Sequence, residues 1–263
     1  MINNRFSTIQ PIITIAQITT QEGVKTKLIP LVLVVLLFGV IIASFAGTLS
    51  VVEANEIQSA VIGSFLRFTG VLIICLFVLN AQVRELNDKG LDMVLALPVP
   101  RSSYFFGKLL GFAVIAMLIS LLFSLTLLFY ARGDQVALWG VSLFFELLIV
   151  TTLSLLCLFT FNQLPAAFTT VFGIYLLSRA LTSLILVGKG PIMPKFVIVN
   201  ELMNMAMAGL AFVLPALDRF TNSAWLVYNT GSGDDLRFVL VQGLIYVTLL
   251  SAAALLDFYR KNL

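Results

Sequence analysis

The stretch "VLIICLFVLNAQVRELNDKGLDMVLALPVPRSSYFFGKLLGFAVIAMLISLLF", residues 71–123, joins two apolar runs through a charged corner. Extended to its natural limits, each run reaches the roughly 20 apolar residues needed to cross a bilayer. Between them lie Arg84, Glu85, Asp88, Lys89, Asp92, Arg101 and Lys108, with a double break at Pro98 and Pro100. The stretch reads as two spanning helices and the element that turns the chain between them.

The same pattern repeats on both sides. Of 263 residues, 60% are hydrophobic and only 11% are charged. A soluble domain carries about a quarter charged residues, so this chain has too little polar surface to cover a soluble core. It reads as an all-α polytopic membrane protein, 1–263 forming a single membrane domain. Six spans are expected, at about 28–48, 61–82, 104–130, 138–161, 165–187 and 238–258. Residues 1–27 are too polar to span. Ile9, Ile12, Ile13, Ala16 and Ile18 fall among threonines and glutamines there, which suits an interfacial helix along the membrane surface or a solvated tail. Residues 196–217 are long enough to span but carry Asn200, Glu201, Asn204, Gly209 and Pro215. They read as re-entrant or interfacial helices inside an outer stretch 188–237, or as a seventh span.

Lysine and arginine counting sets the orientation. With six spans and a cytoplasmic N-terminus, Arg5, Lys25, Lys27, Arg84, Lys89, Arg101, Lys108, Arg260 and Lys261 fall inside. Arg132, Lys189, Lys195, Arg219 and Arg237 fall outside. Nine against five places both termini and the charged corner, 83–103, in the cytoplasm.

Several chemistries are excluded by what is missing. The sequence has no histidine, which removes histidine-based metal sites and Ser-His catalysis. No G-x-x-x-x-G-K-[ST] motif is present to cradle a nucleotide phosphate. No catalytic residue, cofactor or metal is expected, and the scattered basic residues argue against nucleic acid. Met193, Met203, Met205 and Met207 read as packing residues or as soft-metal contacts.

Inside the corner, Leu86, Leu91, Val94, Leu95 and Leu97 lie at helical spacing opposite the charges. A short amphipathic helix over 85–97 is expected, stopped by Pro98. Ser102 or Ser103 is placed to cap the next helix, and Lys108 to snorkel toward the headgroups. A rigid helix, a hard corner and a fresh helix start suit force transfer from a soluble partner. They also suit a plain cytoplasmic anchor.

A resemblance favours the first of these. Glu85, Gly90-Leu91-Asp92, Leu95 to Leu97, Pro98-Val99-x-Arg101 and Gly107-Lys108-x-x-Gly111 resemble the signature of ABC type-2 exporter permeases. The sequence departs in lacking a threonine after Gly90 and in carrying Asp92 for a glutamate. The N-terminal segment, six spans and "LPALDRF" at 214–220 also resemble that family. The resemblance implies a permease subunit that couples ATP hydrolysis by a separate ATPase to movement of a substrate, or of force, across the membrane. It implies a coupling helix here, with Arg84, Glu85, Asp92, Pro98, Arg101 and Lys108 docking or bracing it. It further implies a homodimer with two ATPase subunits in the inner membrane of a prokaryote, with 188–237 as an exit gate or the seat of an outer partner. An autonomous channel or ion-coupled carrier is the rival reading.

Three charges lie within spans: Arg67, Glu146 and Arg179. Such residues face the protein interior and mark pathways or pairs. Counted from the ends of the apolar runs, all three sit roughly 9–12 Å below the outer surface. Glu146 is expected to pair with one or both arginines; snorkelling arginines and an anionic-substrate site are the other readings.

Overall fold

The computed structural model describes residues 3–49, 54–87, 100–189, 205, 209–211 and 213–260, and these form helices and turns with no strand among them. The elements, in order, are α1 (Asn3–Lys25), α2 (Leu28–Leu49), α3 (Ala54–Asn87), α4 (Arg101–Leu127), α5 (Gly133–Phe161), α6 (Leu164–Lys189), a 3-10 turn (Leu217–Arg219), α7 (Ser223–Tyr228) and α8 (Gly233–Arg260). Six of them, α2 to α6 and α8, are long and apolar enough to cross a membrane. They match the six expected spans, and most begin several residues earlier. The apolar run marks the part of a helix that sits in hydrocarbon. Polar turns such as Ala54–Ser59 continue the same helix beyond it.

Helix ends follow local chemistry. Asn162 takes a left-handed conformation, φ 56°, at the end of α5, and α6 restarts two residues later with Pro165 in its first turn. A tight hairpin results. At α4 the expected serine cap is replaced: Pro100 occupies the capping position, and no side chain caps the helix. The amides of Ser103 and Tyr104 bond back to the Pro100 carbonyl, so Ser102 and Ser103 lie within the first turn. Pro100 lacks an N–H, which costs nothing at that position.

Helix α5 is the axis. In its central window 78% of residues are buried, against 22% for α2, α6 and α8. It packs most extensively on α8 and also contacts α3, α4, α6 and α7. Helix α2 instead presents Leu33, Val34, Leu37, Phe38, Ile41 and Phe45 outward, as a lipid-facing span does. Cys75 and Cys157 are buried free thiols.

Helix α1 rests along α4, and glycines make the seat. A Cβ on Gly107 would lie 2.8 Å from the Cβ of Ile15, and one on Gly111 would lie 2.6 Å from that of Thr19. Gly23 in turn faces Ile115. The two helices thus run in the same direction with backbones in close approach, the geometry that small residues four apart permit between membrane helices.

The end of α6 and the start of α8 lie at the same end of the bundle. Arg179 of α6 reaches the 3-10 turn, and Gln135, at the start of α5, bonds the backbone of Gly231 just before α8. A seventh crossing between α6 and α8 would put those ends on opposite sides.

Candidate functional site

Two polar sites stand out in this apolar bundle. The first surrounds the corner. Arg84 and Glu85 belong to the last turn of α3 rather than to a separate helix. The Glu85 carboxylate accepts an ion pair from Lys108 at 2.6 Å, with the lysine side chain only 7% exposed. Lys108 therefore does not snorkel outward. It folds under the α3–α4 junction, where the Glu85 carboxylate supplies the partner that a buried ammonium requires. Beside this pair the amide of Gln82 donates to the Tyr104 hydroxyl at 3.0 Å. Tyr104 stacks on Phe258 of α8, and Phe258 packs on Phe159 of α5. Arg84 is ion-paired with Glu22 of α1. Five helices, α1, α3, α4, α5 and α8, are thereby tied together beneath the corner. Arg101 opens α4. Asp92 and Pro98, and all but residues 85–87 of the amphipathic helix expected over 85–97, lie outside the described residues, as do Met193, Met203 and Met207; Met205 is exposed.

The second site is the buried charge network. Glu146 sits in the middle of the axial helix with no exposed surface. Its Oε1 accepts from the Tyr175 hydroxyl at 2.8 Å and from Arg179 Nη1 at 3.3 Å. Its Oε2 accepts from the Thr221 hydroxyl at 2.5 Å. Arg67 makes no ion pair with Glu146; it donates to the Thr221 carbonyl at 2.9 Å. Arg179 also donates to the carbonyls of Leu217, at 2.8 Å, and Phe220, at 3.3 Å. Measured from the helix ends, which run past the apolar segments, the network sits further along. Arg67 and Glu146 lie about 20 Å, and Arg179 about 15 Å, along their helices from Ala54, Gly133 and Lys189.

The chemistry of this second site is reciprocal. Residues 217–221 form a 3-10 turn and irregular backbone in which Leu217, Phe220 and Thr221 are buried. Irregular backbone is tolerated there only where its carbonyls find donors inside the protein. The two arginines supply those donors, and the carbonyls in turn solvate the buried guanidinium groups. Next to the turn, α7 lies on α3. Leu226 fills the space above Gly63, where a Cβ would approach its Cδ1 to 2.6 Å. The hydroxyls of Ser64 and Ser223 meet at 3.1 Å.

Tyr175, Ser142, Thr221, Gln82, Tyr104 and Glu22 were not singled out from sequence as site residues. Two of them carried a signal. Tyr175 precedes Arg179 by four positions, and Ser142 precedes Glu146 by four, so each shares a helix face with a charge. Thr221 carried none, since only the fold brings it to Glu146.

Residues 22–189 match the family of ABC-2 family transporter proteins. That range covers well over half of the chain, from the end of α1 through α6.

The chain belongs to the ABC-2 transporter family.

As an ABC-2 protein it is a multi-pass membrane permease subunit of an ABC transporter, a family that works with an ABC ATPase subunit. The match contains the corner, Arg67, Glu146 and Arg179, but neither Thr221 nor α8. Among curated proteins nothing matches the chain.

Proposed function

We propose that this ABC-2 chain is the membrane half of an exporter driven by ATP hydrolysis in a separate subunit. The observation that carries the proposal is the brace under the corner. The buried Lys108–Glu85 pair, the Gln82–Tyr104 bond and the Arg84–Glu22 pair tie α1, α3 and α4 to one junction. A push delivered at residues 84–101 then moves helices rather than a loop. In this reading Glu85, Lys108 and Arg84 brace the element, and Asp92 and Arg101 meet the ATPase. The chain works as a homodimer with two ATPase copies. It sits in the inner membrane of a prokaryote with both termini cytoplasmic, and 188–237 forms the outer gate.

A carrier without an ATPase would need a carboxylate open to a path. Glu146 fits that role poorly, because Tyr175, Arg179 and Thr221 already occupy both of its oxygens.

Affinity capture of the tagged chain from its native membranes tests the reading. An ABC ATPase subunit is expected to co-purify, and Asp92→Lys is expected to lose it while the permease keeps its melting temperature. Glu85→Lys is a poorer probe, since it also leaves Lys108 buried beside a like charge. Capture of the permease with no ATPase at all would overturn the proposal.

A further inference from the structure

Thr221 is held by every polar group it has. Its amide donates to Ser142 Oγ at 2.8 Å. Its carbonyl accepts from Arg67 at 2.9 Å. Its hydroxyl donates to Glu146 at 2.5 Å and accepts from Arg179 at 3.4 Å. The residue is wholly buried, and its φ is 45°. A β-branched residue avoids the left-handed region, so a free chain would leave this conformation at once. Such strain persists only where the surroundings over-determine it, and it concentrates at switches.

We propose that Thr221 is the catch of a latch. The network of Ser142, Glu146, Arg67 and Arg179 holds segment 214–228 closed on α3 and α5, and the catch releases when that end of the bundle opens. The inference rests on the transporter reading, in which one end must open during each cycle.

Three features favour a latch over a fixed piece of core. The strain is relieved on release, so the open state gains something the closed state lacks. Two arginines face one carboxylate, and both donate to carbonyls of the segment itself. When the segment lifts, the guanidinium groups exchange carbonyls for water, which gives two alternative arrangements rather than a continuum. The far end is also anchored: the Gln135 side-chain amide donates to the Gly231 carbonyl and accepts from the Gly231 N–H. The segment can therefore swing while α8 stays in place.

The test uses the purified full chain in detergent, with Cys75→Ser and Cys157→Ser to remove the native thiols and Leu226→Cys as reporter. Leu226 is 3% exposed and seated on Gly63, so a maleimide reaches it only when α7 lifts. Labelling is expected to be slow in this background. Either Glu146→Gln or Thr221→Val, which keeps the branched shape but removes the hydroxyl, is expected to raise the rate roughly tenfold, as loss of a hydrogen bond to a charged group implies. Thr221→Ser keeps the hydroxyl and is expected to stay slow. Equal rates in all four proteins, each monodisperse, would refute the latch.

A second arm uses Ser64→Cys with Ser223→Cys, which oxidation joins once the protein has folded. Permease-stimulated ATP hydrolysis by the co-purified complex is expected to fall on oxidation and recover on reduction. Unchanged hydrolysis with the disulfide formed would also overturn the latch. The labelling arm needs no ATPase, so a chain that captures none fails the transporter reading while the latch is still judged.

Discussion

At the scale of single residues, the polar groups of this protein divide by how completely they are engaged. Lys108 and Glu85 form a nearly buried pair. Removing one partner strands the other charge in apolar surroundings, whereas removing both does not. Lys108→Met is therefore expected to cost about 3–5 kcal/mol. The double variant Lys108→Met/Glu85→Leu is expected to recover most of that, as read from unfolding in detergent. A double variant no more stable than the single one would show that the pair is not the unit. Glu22 and Arg84 differ, because the arginine side chain is 56% exposed. Glu22→Gln is expected to cost less than about 1 kcal/mol by the same measurement. Tyr175 is intermediate. Its buried hydroxyl donates to Glu146, so Tyr175→Phe is expected to cost about 1–3 kcal/mol. Charge and exposure can be told apart in a sequence only in part. The charges in spans are visible as departures from an apolar run, but nothing in "RSSYFFGK" shows that its lysine turns inward.

At the scale of elements, the spans are legible and their partners are not. An apolar run of about 20 residues is a property of one segment, so the six helices can be read directly. The seat of α1 is a property of two segments far apart in the chain. Gly107 and Gly111 stand out as a spacing, yet only the fold shows that Ile15 and Thr19 fill the space above them. The physical demand on those glycines is severe. A Cβ at Gly111 would lie 3.0 Å from the Ala16 carbonyl oxygen, which is backbone and cannot rotate away. Gly111→Val is expected to detach α1 from α4 at about 1–3 kcal/mol, leaving the remaining helices folded. Hydrogen exchange reads this directly: amides of residues 12–25 should lose protection while those of α5 keep it. Uniform protection in the variant would mean that α1 has another seat. The 217–221 turn was partly legible, because Pro215 and the polar residues around it broke the apolar pattern. Its anchoring was not, since the carbonyls of Leu217, Phe220 and Thr221 have no side-chain signature.

At the scale of the whole molecule, geometry fixes which ends lie together, and charge must fix which end faces which side. Gln135 bonds Gly231, so the start of α5 and the start of α8 share one end, while Arg84 and Arg101 mark the other. Nothing within an apolar bundle distinguishes those ends energetically; the lysine and arginine excess beside Arg84 does, because positive segments are retained on the cytoplasmic side. Two single cysteines, in a background without Cys75 and Cys157, separate the possibilities. Gln163→Cys lies in the α5–α6 turn, at the corner end, and Ser232→Cys lies just before α8. An impermeant maleimide added to intact cells is expected to label Ser232→Cys and to spare Gln163→Cys until the membrane is opened. The opposite pattern would invert the protein and move the proposed coupling corner away from ATP. Labelling of both from one side would require an odd number of crossings between α6 and α8, which the bonds from Gln135 to Gly231 and from Arg179 to Leu217 oppose. The pair of labels thus tests orientation and span number separately, and neither depends on knowing what the transporter carries.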